Sequence, residues 1–154
     1  AAALLDASLD ELKLSLDELR ELARGIHPAV LTDRGLGPAI AAIADRSPVT
    51  VDILELPDER PPRAAETTAY FTVSEALTNV AKYAQATRAT VRIVTEDGCL
   101  VVEVRDDGIG GAEAGTGSGL SGLSDRVGAV DGELTVDSPP GRGTVVTAEL
   151  PCGW

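Results

Sequence analysis

The chain has little of the chemistry that metal centres and disulfide scaffolds require. Its 154 residues include one histidine, two cysteines, one tryptophan and no methionine. Cys99 and Cys152 lie far apart and outside any C-x-x-C spacing, so neither a disulfide framework nor a zinc site is indicated. Both are expected to be small core or strand residues. The lack of an initiator methionine leads us to expect a processed chain or a piece of a longer protein.

Basic residues and long apolar runs are also scarce. Lysine and arginine together number 13 against 25 acidic residues, which gives a formal net charge of -12. A nucleic-acid surface needs clustered positive charge, so this charge balance argues against nucleic-acid binding. Charged residues interrupt every apolar stretch, and the N-terminus lacks the pattern of a signal peptide. We therefore expect a cytoplasmic segment without direct membrane contact, whether or not a longer parent protein is membrane-attached.

A heptad seam runs through the first 26 residues and predicts an amphipathic helix. Seven apolar residues alternate at spacings of four and three: Leu5, Leu9, Leu12, Leu16, Leu19, Ala23 and Ile26. Such a helix can lie on its own domain or form one member of a dimeric helical bundle. Seven consecutive seam positions favour the bundle.

The rest of the chain alternates between helical and strand patterns. The predicted helices are 36–44, 64–84 and 120–130, and the predicted strands are 49–54, 92–96, 100–105, 134–137 and 144–150. Asp97-Gly98 predicts a tight hairpin turn, and a glycine-rich loop covers residues 107–119. This order predicts an α+β fold, a two-layer sandwich whose mixed sheet is covered on one face by helices.

The long predicted helix presents three functional candidates on one face. Glu75, Asn79 and Lys82 are spaced by four and three residues. The amide oxygen of Asn79 is a candidate ligand for Mg²⁺, which takes few protein ligands when phosphates supply the rest. Lys82 would neutralise phosphate charge, and Glu75 would orient or deprotonate an attacking hydroxyl group. The same three residues also describe an ordinary solvated helix face.

Two glycine clusters follow and complete a possible ATP site. The carboxylate of Asp106 would accept a hydrogen bond from the amino group of adenine, while Gly108 and Gly110 leave room for the base. Gly117 and Gly119 precede a helix whose free N-terminal amides can receive phosphate oxygens. Each cluster alone also fits an Asp-Gly turn or a flexible loop with a helix cap. Their joint occurrence in this order favours ATP.

The three motifs resemble the N, G1 and G2 boxes of the Bergerat-fold (GHKL) ATPases. The matching residues are Asn79, Lys82 and Tyr83 for the N box, Asp106, Gly108 and Gly110 for G1, and Gly117, Gly119 and Leu120 for G2. Within that superfamily, residues 75–82, 119–127 and 139–144 resemble the nitrate-sensor-like (HisKA_3) sensor histidine kinases, whose partners are NarL-type regulators.

The resemblance implies a role for each matching residue. Asn79 binds Mg²⁺, Asp106 binds adenine, Thr144 approaches the base beside Asp106, and the two glycine boxes frame a movable ATP lid. Tyr83 stands where this subfamily usually has histidine. Whether position 83 contacts phosphate therefore stays open. Arg126 is expected to stabilise the lid helix.

The resemblance also implies a domain plan and an activity. Residues 1–27 would be the C-terminal part of a dimerisation hairpin, 28–46 an X-region linker and helix, and 47–154 the catalytic ATP-binding domain. The kinase would transfer the γ-phosphoryl group of ATP to a histidine and then to a response-regulator aspartate. His27 precedes Pro28 in a helix-ending context, so the acceptor histidine is expected on a dimerisation helix absent from this chain. The chain alone would not complete autophosphorylation.

Two other functions fit parts of the pattern. An anti-sigma-factor serine kinase of the same superfamily would use Glu75 on a partner hydroxyl, but it needs no dimerisation hairpin. A non-catalytic module for dimerisation or nucleotide sensing would not need all three intact boxes.

Overall fold

The computed structural model describes residues 28–112 and 118–153. The heptad seam, His27 and Gly117 lie outside the described residues. The described helices are α1 (Ala29–Arg34), α2 (Leu36–Asp45), α3 (Arg63–Asn79) and α4 (Ser118–Gly128), and the strands are β1 (Thr50–Glu55), β2 (Arg88–Glu96), β3 (Cys99–Asp106), β4 (Glu133–Asp137) and β5 (Val145–Pro151). No helix in these ranges has both the length and the apolar composition needed to cross a membrane.

The described strands form one mixed sheet in the order β1-β2-β3-β5-β4. β1 pairs with β2 in parallel, and the other pairs are antiparallel. The β2–β3 hairpin turns at Asp97-Gly98, whose φ angles of 51° and 78° are both positive. Two positive φ angles match the right-handed twist of a hairpin, which is why Asp-Gly predicted this turn correctly.

The hydrophobic core lies between this sheet and the helices. The central strands alternate between buried and less buried positions, and their buried residues include Val91, Ile93, Leu100, Val102, Val104, Val146, Ala148 and Leu150. Helix α3 packs against them with Ala69, Val73, Ala76 and Leu77, and α4 with Leu123 and Val127. The predicted α+β sandwich with a mixed sheet is confirmed. Cys152 is buried and Cys99 lies in β3, as expected.

Helices α1 and α2 belong to the same core as the sheet. Leu31, Leu36, Ala39 and Ile40 from these helices are buried in one cluster with α3. The division of the chain near residue 46 stays a prediction, but residues 29–45 do not form a separate unit in the described structure, because their apolar side chains are covered by the sandwich.

An ion pair between the exposed Arg60 and the buried Glu66 fixes α1 to α3. Glu66 is 1% exposed, and both of its carboxylate oxygens accept hydrogen bonds from Arg60, at 2.9 and 3.0 Å. Arg60 also donates to the carbonyl oxygens of Leu31 and Thr32. Carbonyl oxygens in the last turn of a helix lack a full set of local donors, and that of Leu31 accepts the amide of Gly35 in addition. The hydrogen bond and the charge of Glu66 raise the pKa of Arg60, so the guanidinium stays protonated.

The long helix differs from its prediction at its end. Residues 64–84 were predicted as one helix, but the α-helical hydrogen bonding stops at Asn79 and a π-helical turn covers Val80–Ala84. Gln85 then ends the helix with a φ of 51°. Single π-helical turns inside helices are frequent at functional sites. This one lies between the N-box residue Asn79 and the loop that follows β3.

Candidate functional site

One face of α3 carries the predicted metal ligand and the predicted base, and α4 packs along it. Phe71, Glu75 and Asn79 are spaced by four residues, so they share that face. A methyl group on Gly119 would overlap Oε1 of Glu75 and lie 3.6 Å from Oδ1 of Asn79. At the other end of α4, the guanidinium of Arg126 lies 4.1 Å above the centre of the Phe71 ring. The structure thus brings Glu75, Asn79 and Gly119 together.

The other N-box and G2 candidates lie at the edges of this contact. Leu120 is half-buried in the first turn of α4. Lys82 is exposed on the π-helical turn, and Tyr83 next to it is 68% exposed. Gly117 falls outside the described residues. Arg126 stacks on an aromatic ring of α3, which agrees with the structural role expected for it.

Asp106 lies at the end of β3, where the adenine-binding residue was predicted. Its side chain is buried, and Oδ1 accepts a hydrogen bond of 2.8 Å from the amide of Gly108. The Asp106 amide donates to the carbonyl oxygen of Thr144 at 2.9 Å. The first bond holds the carboxylate from the loop, and the second ties the main chain of Asp106 to Thr144, just before β5, which places Thr144 directly beside Asp106.

The glycines of the G1 loop allow three backbone segments to meet. A methyl group on Gly108 would overlap the carbonyl oxygen of Ala84 in the π-helical turn. That same oxygen accepts a 2.8 Å hydrogen bond from the amide of Ile109. Gly110 has a φ of 64°, and a methyl group there would overlap the carbonyl oxygen of Pro139. From the sequence, the space beside these two glycines was expected to hold the base. In the structure, part of that space is filled by protein backbone.

The turn between β4 and β5 forms the other wall of the G1 loop. Gly111 donates to the carbonyl oxygen of Ser138 at 2.9 Å, and Gly141 donates to that of Ile109 at 2.6 Å. Gly143 is buried with a φ of 73°, and a methyl group on it would overlap the carbonyl oxygen of Asp106. Residues 27 to 37 positions further along the sequence therefore hold Asp106 and its loop in place.

Comparison with known proteins assigns the family. Residues 64–153 match the family model described as histidine kinase-, DNA gyrase B-, and HSP90-like ATPase, which is more than half of the chain. The chain belongs to this ATPase family. The family is one of ATP-binding domains, so the ATP predicted from the glycine boxes is supported.

Relatives of this ATPase domain are sensor histidine kinases. The chain is 32% identical to the oxygen sensor histidine kinase NreB of Staphylococcus carnosus (strain TM300), over 88% of the chain and 42% of NreB. It is 36% identical to the sensor histidine kinase NarS of Mycobacterium tuberculosis (strain ATCC 25618 / H37Rv), over 94% of the chain and 36% of NarS. The chain thus spans about two fifths of the length of these relatives. The predicted kinship with sensor histidine kinases is confirmed.

A solved structure agrees with both the fold and the kinship. The histidine kinase domain from the Erythrobacter litoralis EL346 blue-light activated histidine kinase superposes with a TM-score of 0.61 at 26% identity. The match covers 77% of this chain and 59% of the other.

Asp107 organises the ATPase domain in a way that the sequence analysis missed. Its carboxylate accepts hydrogen bonds from the amides of Thr87 and Arg88, at 2.8 and 3.0 Å, and from the Thr87 hydroxyl at 2.6 Å. These bonds, led by that of the Thr87 hydroxyl, lower the pKa of Asp107 to about 2. The carboxylate ties the start of β2 to the end of β3, which helps explain why β2 begins at Arg88 and not at the predicted residue 92. An aspartate directly after a strand is a known acceptor for nearby backbone amides, but its partners are 19 and 20 residues away.

Asp107→Asn is expected to reduce stability at neutral pH and to have little effect in strong acid. The folded-state pKa lies below the usual value of 3.8, so the carboxylate stabilises the fold above about pH 4 and loses this effect as the pH falls towards 2. The effect should be modest because the site is exposed. Thermal unfolding of both proteins from pH 7 to pH 2 checks this prediction. A difference in Tm that stays constant over the whole range would contradict it.

Proposed function

We propose that this chain is the catalytic ATP-binding part of a two-component sensor histidine kinase. It would transfer the γ-phosphoryl group of ATP to a histidine on a dimerisation helix outside this chain, within a homodimer of the full-length protein. A response-regulator aspartate would accept the group next. The observation that carries the proposal is the packing of Gly119 in α4 against Glu75 and Asn79 of α3, in a domain related to sensor kinases.

The base would bind at Asp106. The carboxylate is buried at the end of a central strand and accepts a hydrogen bond from the amide of Gly108, while the main chain of Asp106 is bonded to Thr144. A fixed acceptor favours the amino group of adenine over the carbonyl oxygen of guanine, because the latter would face a second acceptor without a proton between them. Gly108, Gly110 and Thr144 would form the neighbouring walls.

The phosphates would lie between α3 and the first turn of α4. The N-terminal amides of α4, after Gly117 and Gly119, would receive phosphate oxygens, with Leu120 holding this turn against the domain. Lys82 is exposed on the π-helical turn and would neutralise phosphate charge. Tyr83 would flank the same region.

Asn79 fits a magnesium site because it offers a neutral, hard oxygen on the face of α3 that meets α4. Mg²⁺ would supply charge neutralisation for the bound phosphates. Glu75, one turn earlier, would orient the incoming imidazole or accept its proton. The packing of α4 over this face would keep water away from the acceptor.

Calorimetric titration with ATP and GTP, each with and without Mg²⁺, tests the nucleotide site. We expect ATP to bind, Mg²⁺ to strengthen its binding, and GTP to bind more weakly. If neither nucleotide binds, a non-catalytic dimerisation module becomes the better description.

The acceptor is tested by adding labelled ATP and a separate fragment that carries the dimerisation helix of the full-length protein. Phosphate that is stable in alkali and labile in acid would identify phosphohistidine. Acid-stable phosphate on a serine of a partner protein would instead support the anti-sigma-factor kinase. We place the kinase domain in the cytoplasm, where ATP and a response regulator are available.

A further inference from the structure

Ser138 is bonded to two parts of the proposed nucleotide site that are not neighbours in sequence. It follows directly after β4 and is half-buried. Its hydroxyl accepts a hydrogen bond of 2.9 Å from the amide of Ala112, at the far end of the G1 loop. The same hydroxyl is 2.8 Å from the hydroxyl of Thr144. One side chain therefore links the G1 loop to the residue beside Asp106.

The backbone of Ser138 reinforces this link. Its carbonyl oxygen accepts a hydrogen bond from the amide of Gly111, so main chain and side chain of one residue hold two successive amides of the loop. On the other side, Thr144 holds the amide of Asp106 through its own carbonyl oxygen. The bonds form a continuous chain from Ala112 through Ser138 and Thr144 to Asp106.

A hydroxyl group has one proton and two lone pairs. With one lone pair taken by Ala112, the Ser138 hydroxyl still has its proton and a second lone pair for Thr144. The pairing holds the rotamer of the Thr144 side chain and occupies one hydrogen-bonding group of its hydroxyl, whichever of the two hydroxyls donates. Without Ser138, the Thr144 hydroxyl would be free to turn to other partners.

We propose that Ser138 is a positioning residue for the nucleotide base. It acts through Thr144 and through the Gly111-Ala112 backbone, and it does not touch the nucleotide itself. This inference rests on the proposed ATP-binding function. The protein stability should depend little on the Ser138 hydroxyl, because water can reach the amide of the exposed Ala112 and the hydroxyl of the half-buried Thr144 when the Ser138 hydroxyl is removed.

The test compares Ser138→Ala with Ser47→Ala in calorimetric titrations with ATP and ADP. Ser47 is a matched control, since it is also half-buried and its hydroxyl also accepts one backbone amide, that of Val49, in a turn before β1. We expect Ser138→Ala to weaken both nucleotides by the same factor, about fivefold for one lost hydrogen bond. An equal factor is expected because ATP and ADP share the base. Ser47→Ala should bind both as the wild type does, and the Tm values of the two variants should be similar.

Two further variants separate positioning from a general structural role. Ser138→Thr keeps the hydroxyl and should restore wild-type affinity. In a double-mutant cycle, Ser138→Ala should weaken ATP binding less when Thr144 is already valine, because Ser138 then has no hydroxyl left to position.

The outcomes separate this inference from the proposed function. A wild-type protein that binds no ATP would overturn both. If the wild type binds ATP, then unchanged affinity in Ser138→Ala, or additive effects of Ser138→Ala and Thr144→Val, would overturn the inference alone. If Ser138→Ala weakened the binding of ATP but not that of ADP, the effect would lie at the phosphates. That result would also overturn the inference.

Discussion

Asp106→Asn is expected to weaken ATP binding more than tenfold while the fold stays intact. Asparagine has the same shape, and its carbonyl oxygen can still accept the hydrogen bond from the amide of Gly108. Its amide nitrogen, however, is a donor and would face the amino group of adenine, which is also a donor. Two buried donors that face each other without an acceptor cost roughly 1 to 3 kcal/mol. This cost is the source of the expected loss of ATP affinity.

Calorimetry with ATP and GTP on Asp106→Asn and Asp107→Asn provides the measurement. Asp107 is the matched control, because it is the adjacent carboxylate and its bonds go to Thr87 and Arg88 instead. Asp107→Asn should keep most of its ATP affinity. Asp106→Asn should weaken the binding of GTP less than that of ATP, since the side-chain NH₂ of the asparagine can donate to the guanine carbonyl. Equal ATP affinity in Asp106→Asn and the wild type would remove Asp106 from the base site.

Gly143→Ala is expected to lower the free energy of unfolding by about 3 kcal/mol, the sum of a strained φ and an overpacked backbone contact. Gly143 has a φ of 73°, which is unfavourable for any residue with a Cβ. The added methyl group would also overlap the carbonyl oxygen of Asp106, and its distance to the Asp106 carbonyl carbon would be only 2.9 Å. Backbone atoms cannot turn away as the end of a side chain can, so β5 and the end of β3 would have to separate.

Gly141→Ala is the matched control for this prediction. Gly141 lies in the same turn with a φ of 78°, but a methyl group there meets nothing within 4 Å. Gly141→Ala should therefore lower the free energy of unfolding only by the cost of a positive φ angle, about 1 kcal/mol. Urea denaturation of both variants gives the two values, and ATP titration of folded Gly143→Ala should show weakened binding because Asp106 has moved. An equal loss of stability in both variants would show that the close approach to Asp106 is unimportant.

The order of helices and strands and the ATPase family could be predicted from the sequence, because both depend on patterns among neighbouring residues. Alternation of apolar residues marked the strands, and Asp97-Gly98 marked its turn because few other residue pairs adopt two positive φ angles. The N, G1 and G2 boxes indicated an ATPase because each is a short run whose residue types are tied to one kind of contact. Roles of single residues within the boxes stay predictions.

Other features depend on contacts between distant segments and left no clear pattern in the sequence. The π-helical turn at 80–84 looks like ordinary helix in the sequence, and nothing there shows that its last carbonyl oxygen, that of Ala84, will accept the amide of Ile109. Asp107 and Ser138 look like common turn residues, since the backbone amides that donate to their side chains lie 19 to 26 residues away. Residues 28–46 were predicted as a linker and one helix outside the ATP-binding domain, because a short amphipathic stretch does not reveal which surface will cover it.

The sequence by itself determined the strands, most of the helices, the hairpin and the chemical groups available to a nucleotide, because these follow from the nature of neighbouring residues. Only the tertiary structure decided which groups meet. It joined Gly119 to Glu75 and Asn79, and the turn at 139–143 to Asp106. The physical reason is that such contacts are selected by packing of the whole core, where a helix or turn settles against the surface that best covers its apolar side chains and pairs its backbone groups.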